Sequence, residues 1–171
     1  MSFLIRMAEP EDVQAIVAIY APYVLSSAAT FELEPPDAAE IGRRLRSVQE
    51  AGLPYLAAEV DGVVAGYTYA TSFRPRAGYR FTVEDSVYLR DGYAGKGIGR
   101  QLLGALIERC KAVGCRQMVA VIGGKNPASV AMHAALGFAH VGVLREVGFK
   151  FGEWQDVTLM QRGLQGADIA R

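Results

Sequence analysis

The chain has 171 residues, 51% of them hydrophobic, which is enough for one domain with a sizeable core and no disulfide or metal staple. Lys and Arg together number 18, as do Asp and Glu, so the long-range positive field of a nucleic-acid binder or an anionic-membrane binder is missing and any anion site must be local. The two cysteines, Cys110 and Cys115, lack CxxC spacing and read as reduced, partly buried thiols; no apolar run approaches the ~20 residues of a membrane span. The expectation is a cytoplasmic, soluble protein that binds no metal, no nucleic acid and no membrane.

In chain order, "SFLIRMA" reads as a first strand. "EPEDVQAIVAIYAPYVLSS" reads as a helix, with Pro10 in its first turn, Glu11 and Asp12 beside it, and Val13, Ile16, Val17 and Tyr20 at helical spacing. After the Pro-rich connection "TFELEPPD", Asp37 and Glu40 form a capping-box pattern opening a second helix that ends at Gly52 and turns its arginines to solvent. "PYLAAEV" and "VVAGYTYATSF" flank Asp61-Gly62, a hairpin signal, and are expected to pair antiparallel. "YRFTVEDSVYLR" is a strand with two faces, Phe81, Val83, Asp85, Val87 and Leu89 against Arg80, Thr82, Glu84, Ser86 and Tyr88.

Next comes "YAGKGIGR", residues 93–100, then a long amphipathic helix to about Val113, and "CRQMVAVIG" as a buried strand. The strands on either side of the long helix are expected to be parallel. "NPASVAMHAALG" is a short helix capped by Asn126 with Pro127 in its first position. The end of the chain reads as two strands joined through Gly148–Gly152, and from about residue 164 as a frayed tail. With no repeat or linker, residues 1–171 read as one mixed α/β domain.

Strand, Gly-rich turn and helix make a phosphate-binding arrangement, because unpaired amides point outward from a helix N-terminus and glycine lets a phosphate approach the backbone. Lys96 is followed by Gly97 rather than a hydroxyl residue, so the loop is no P-loop. The GxGxG spacing, mid-chain and after a hairpin, does not suit a dinucleotide fold.

"VYLRDGYAGKGIGRQLLGALI" resembles the acyl-CoA loop of the GNAT superfamily of N-acetyltransferases. Gly97 and Gly99 match its small positions, whereas Ala94 stands where the family carries Arg or Gln. "NPASVAMHAALGF" resembles the later family motif through Asn126, Ser129, His133 and Gly137-Phe138. "TFELEPP", "FRPRAGYRFTVEDSVYL" and "VGFKFGEWQDVTLMQ" are similar to the phosphinothricin and methionine sulfoximine acetyltransferase branch.

The resemblance implies a mixed, mostly antiparallel central sheet with a splayed parallel strand pair, flanked by helices. It also implies acetyl-CoA as acetyl donor and acetylation of the α-amine of a small amino-acid analogue. It assigns Glu84 as general base and His133 as the acid that protonates the CoA thiolate. Backbone groups of Val87, Tyr88 and Leu89 pair with the pantetheine arm, and the loop residues Gly95, Lys96, Gly97, Ile98, Gly99 and Arg100, with Asn126 and Ser129, hold the rest of the cofactor. On the acceptor side it places Phe31, Arg74, Pro75, Arg76, Glu84, Asp85, Ser86 and Lys150, with Tyr79, Phe149 and Trp154 nearby, and a homodimer formed by the late strands. The readings left open are another small amine, a protein N-terminus, and an acyl-CoA sensor without turnover.

Overall fold

The computed structural model describes residues 2–165, so the outer part of the expected tail lies outside the described residues. Seven strands form one sheet in the order β1-β2-β3-β4-β5-β7-β6. They are β1 Phe3–Met7, β2 Tyr55–Val60, β3 Val63–Ser72, β4 Thr82–Leu89, β5 Gln117–Gly123, β6 Ala139–Lys150 and β7 Glu153–Gly163. All neighbours are antiparallel except β4 and β5, the parallel pair expected around the long helix. Helices α1 Val13–Ser26 and α2 Ala38–Glu50 cover one face, and α3 Ile98–Ala112 and α4 Pro127–Ala135 cover the other.

Local sequence explains most boundaries. Asp61 and Gly62 both adopt positive φ, 49° and 80°, the geometry of the two-residue turn that joins twisted antiparallel strands. Phe151 and Gly152 do the same between β6 and β7, so β6 runs through Gly148 to Lys150 and the joint is shorter than the Gly148–Gly152 span expected. Pro10–Asp12 form a 3-10 turn before α1, and Asp12 accepts two bonds from the Arg6 guanidinium at 2.7 and 2.9 Å, tying the helix start to β1.

Half of the expected capping box is present. The Asp37 side chain accepts from the Glu40 amide, but the Glu40 carboxylate turns away to Arg43 and Arg44. Arg44 in turn pairs with Glu32 at 2.5 Å, so it braces the segment before α2 instead of facing solvent. At the far end, Leu164 is buried and its amide donates to Arg116, so the packed chain reaches further than a tail from 164 would allow.

Two cores result, one for each sheet face. Leu102, Leu103, Leu106 and Ile107 of α3 pack on Val83, Met118 and Met160, while Ile16, Ile19 and Leu45 of α1 and α2 pack on Tyr55 and Tyr67. Gly66 sits at a close approach of β3, β4 and α3: a Cβ there would stand 2.6 Å from Leu89 Cδ2 and 2.8 Å from the Tyr88 carbonyl oxygen. Because the carbonyl belongs to backbone, it cannot swing aside. Gly66→Ala is therefore expected to lose about 1–3 kcal/mol of stability in denaturant unfolding; an unchanged midpoint would show that the strands part without cost.

Candidate active site

β4 and β5 are in register only at Thr82↔Gln117, Val83↔Met118 and Glu84↔Val119, and then separate. The gap opens into a cavity of about 610 Å³. Its walls are residues 84–89 of β4, the Gly-rich loop, residues 120–123 of β5, the start of α4, and the segment around Phe31.

Alternation along β4 decides which backbone groups reach this gap. The Arg90 amide donates to Ala65 of β3, so Tyr88 and Ser86 also direct their polar groups toward β3, while Leu89 and Val87 turn theirs away from it. At Leu89 the Tyr23 hydroxyl takes both places, accepting from the amide at 3.2 Å and donating to the carbonyl at 3.0 Å. Of the three residues expected to offer backbone to the pantetheine arm, only Val87 has groups turned to the gap and not taken by these contacts. Tyr88 is engaged with β3, and its ring packs among Tyr20, Tyr23 and Tyr67.

The glycine loop closes one end of the gap. Gly95 and Gly97 have φ of 76° and 79°, a region that side chains disfavour, and Gly97 is the N-cap of α3. Gly99 serves differently, since a Cβ there would press on Met132 Sδ at 3.2 Å. The first helical amides, at Ile98, Gly99 and Arg100, precede the first intrahelical bond, Gln101 to Gly97, and are therefore available to an anion. Gly95, Gly97, Gly99 and Arg100 line the cavity. The Ile98 side chain is buried in the core, so its contribution is its amide. Lys96, expected to hold the cofactor, places its ammonium 5.1 Å over the Tyr93 ring and is not among the residues of the cavity wall.

On the α4 side, the Asn126 side chain caps the helix by accepting from the Ser129 amide at 3.1 Å. One turn on, His133 is only 3% exposed. Its Nδ1 lies 2.7 Å from the Ser129 carbonyl and 3.3 Å from Ser129 Oγ, its Nε2 lies 2.9 Å from Asp85 Oδ2, and its ring meets Phe138 edge-on. A carbonyl only accepts, so Nδ1 carries a proton, and Nε2 shares one with the carboxylate. Burial opposes the ring's charge, but the hydrogen bond and charge of Asp85, helped by the Ser129 carbonyl, outweigh it and raise the imidazole above its ordinary value.

Two expectations change here. Asp85 does not face an acceptor amine, because it points to the α4 side of the sheet, opposite Glu84, and is spent on His133. The His133 ring offers no free nitrogen to the gap, so any proton it gives must pass through another group. Asp85 Oδ1 is buried with no partner among the described residues.

Glu84 and Ser86 share the other face of β4 and also line the cavity. Burial, and next to it the charge of Asp85, push the Glu84 carboxyl above its usual range, while Arg74 pulls it down. Phe31 and Val121 line the same cavity. Arg74, Pro75 and Arg76 lie in the exposed β3–β4 connection, where the Arg74 guanidinium covers the Phe73 ring at 4.3 Å and bonds the Phe73 carbonyl.

Lys150 is corrected. It is 3% exposed, and its ammonium lies 2.7 Å from the Ser27 carbonyl, 2.8 Å from that of Thr30 and 3.5 Å from that of Tyr23, so its three donors are directed at backbone oxygens and away from the cavity. Tyr79, Phe149 and Trp154 are all exposed and outside the cavity wall. Residue patterns gave no sign of Tyr23, Val121 or Met132 as wall residues, since each reads as an ordinary apolar or aromatic core position.

A parallel strand pair that parts over a Gly-rich helix start, with a half-buried carboxylate at the point of parting, is the framework of an acyl-CoA-dependent N-acyltransferase. The chain belongs to the GNAT acetyltransferase family: the acetyltransferase (GNAT) domain matches residues 5–159. It is 51% identical over 165 residues to a phosphinothricin N-acetyltransferase of Alcaligenes faecalis, covering 96% of this chain and 84% of that one. It is 44% identical, over 96% of both chains, to an L-methionine sulfoximine/L-methionine sulfone acetyltransferase of Pseudomonas aeruginosa. The crystal structure of a phosphinothricin acetyltransferase from Sinorhizobium meliloti in complex with AcCoA superimposes with a TM-score of 0.95 at 45% identity, covering 100% of this chain and 93% of that one. The GNAT fold expected from the resemblance is the fold observed.

The His133–Asp85 pair has a testable pH signature. A histidine whose pKa is raised by folding contributes stability that is complete below its unfolded value of about 6.5 and is lost as pH rises through the folded value. Asp85→Asn is expected to cost about 3–5 kcal/mol near pH 6, and less at pH 9, in chemical unfolding at the two pH values. A cost independent of pH would show that the two side chains do not share charge.

Proposed function

We propose that the chain transfers the acetyl group of acetyl-CoA to the α-amine of a small amino-acid analogue of the phosphinothricin, methionine sulfoximine or methionine sulfone kind, by direct attack of the amine on the thioester. The observation that carries the reading is Glu84: a carboxylate with a raised pKa, half-buried at the last strand pair before the gap, on the acceptor face. The names of the similar enzymes from Alcaligenes and Pseudomonas support the acceptor class.

Glu84 takes a proton from the amine, directly or through water, the C–N bond forms, and the C–S bond breaks with its electron pair on sulfur. The Val87 amide is the donor suited to the developing oxyanion or to the pantetheine arm. For the thiolate, the proton leaves the His133 imidazolium through Ser129 Oγ, the hydroxyl 3.3 Å from Nδ1. In this reading the charge of Arg74, which acts on Glu84, favours an acceptor carrying a carboxylate or phosphinate and disfavours polyamines.

The chain works in this reading as a cytoplasmic homodimer. Its support is the exposed apolar surface of β6 and β7, where Phe149 and Trp154 pack together in the open with Val141 and Val147 nearby.

Glu84→Gln is expected to lower kcat by about 10²-fold or more while leaving acetyl-CoA affinity intact, in thiol-release kinetics with methionine sulfone and in calorimetry. Unaltered turnover would remove Glu84 as base, and acetyl-CoA binding without turnover by the parent would favour the sensor.

The base must be ionised, so kcat/KM falls as pH drops through the raised Glu84 value. Arg74→Ala removes a cation that holds this value down, so the acid limb is expected to move to higher pH; a limb that stays put would separate Arg74 from Glu84. Ser129→Ala is expected to lower kcat and kcat/KM together, as for a group acting only in the transition state.

A further inference from the structure

Residues 27–37 run from α1 to α2 over the mouth of the cavity without helix or strand of their own. This strap is nonetheless held at several separate points. The buried Lys150 ammonium bonds the Ser27 and Thr30 carbonyls and reaches toward Tyr23 O at 3.5 Å, at the C-terminal end of α1 where a cation is favoured. Thr30 Oγ1 bonds the Tyr20 hydroxyl at 2.7 Å, and Glu32 is gripped by Tyr20 and Arg44.

Between these points lies Phe31, and bare glycines face it. A Cβ on Gly148 would stand 2.5 Å from Phe31 Cζ and 2.8 Å from its Cδ2. A Cβ on Gly123 would overlap the Ala28 carbonyl and meet Phe31 Cε1 at 3.3 Å. The ends of β5 and β6 thus form a slot in which bare Gly148 makes room for the ring and bare Gly123 for the Ala28 carbonyl beside it. In the slot, Phe31 lines the same cavity as Glu84 and Val121.

We infer that Lys150 is a positioning residue: by pinning the Ser27 and Thr30 carbonyls it keeps Phe31 in the Gly123–Gly148 slot, where the ring is the wall that limits the length of the acceptor side chain. The inference rests on the acetyltransferase reading above for its acceptor, but the slot and the pin are geometric. Lys150 touches no substrate and acts only through the strap. It is one arm of a chain of contacts that joins α1, the strap and the end of β6 across 120 residues of sequence.

The test has a physical and a kinetic arm. In the absence of substrate, amide exchange of residues 28–32, read by mass spectrometry, is expected to quicken about tenfold in Lys150→Met and in Gly148→Ala, as a local opening becomes easier. With methionine sulfone as acceptor, both variants are expected to raise the acceptor KM about tenfold while the acetyl-CoA KM stays within about twofold. Phe31→Ala is expected to raise the kcat/KM of an aromatic amino acid relative to methionine sulfone. In that background Gly148→Ala is expected to add nothing, because the ring it would displace is gone.

Unchanged exchange at 28–32 in both variants, additive effects of Gly148→Ala and Phe31→Ala, or an unchanged acceptor ratio in Phe31→Ala would overturn the inference. Should Lys150→Met fail to fold, the Gly148 and Phe31 cycle decides alone. A parent enzyme that turns over none of the amino-acid analogues sinks the proposed function instead, and the exchange arm then judges the pin.

Discussion

The structure depends on a sheet that stops pairing halfway along one strand. β4 keeps three residue pairs with β5 and then leaves it, although the rest of β4 stays bonded to β3. An unpaired strand edge inside a protein is costly unless something satisfies its amides and carbonyls. Here the Tyr23 hydroxyl serves Leu89, and the groups of Val87 are left for whatever enters the gap. The extended arm of a ligand can complete the sheet as an added strand would, so the same break that weakens the fold creates the binding groove.

The break also explains why two adjacent carboxylates have unlike surroundings. Glu84 is the last paired residue and Asp85 the first beyond the parting, and consecutive residues of a strand face opposite ways. Asp85 goes to the α4 side, where the His133 imidazolium compensates it in a nearly closed environment. Glu84 goes to the α1 side, where burial and the neighbouring Asp85 charge disfavour its ionised form and Arg74 moderates the effect. One carboxylate ties α4 to β4 and the other stays accessible and more basic than usual. A single step along the chain divides a structural carboxylate from the one proposed as base.

The order of elements, the Asp61-Gly62 turn, the loop glycines and the Asn126 cap were all readable from the sequence, because each follows from propensity or spacing within a few residues. The partners of Lys150, Asp85 and Leu89 were not, for they lie 120, 48 and 66 positions away. A lysine near aromatics reads equally well as a substrate grip or as a buried brace, and only the packing of α1 against the end of β6 decides between them. Arg44 misled for the same reason: helical spacing placed it among solvent-facing arginines, and its bond to Glu32 comes from a segment without periodicity. The local motif around His133 marked the residue, yet its protonation depends on a carboxylate from another strand.

In the proposed reaction the donor and acceptor sides are therefore built on different principles. The donor side uses backbone, through the Val87 edge, the amides opening α3 and the glycines whose conformation or closeness excludes side chains. Such a surface constrains few side chains beyond its glycines and can persist while sequences diverge. The acceptor side draws on Phe31 of the strap, which Lys150 and Gly148 at the end of β6 hold in place, and on the charge of Arg74 in the β3–β4 connection, three segments that share no element with the glycine loop. Changes there can alter the acceptor without disturbing the donor groove. A chain resembling enzymes named for phosphinothricin at 51% identity and for methionine sulfoximine and sulfone at 44% is what that separation allows. If Glu84 is the base proposed above, selectivity within the group is a matter of the shape and charge held over it rather than of the proton transfer itself.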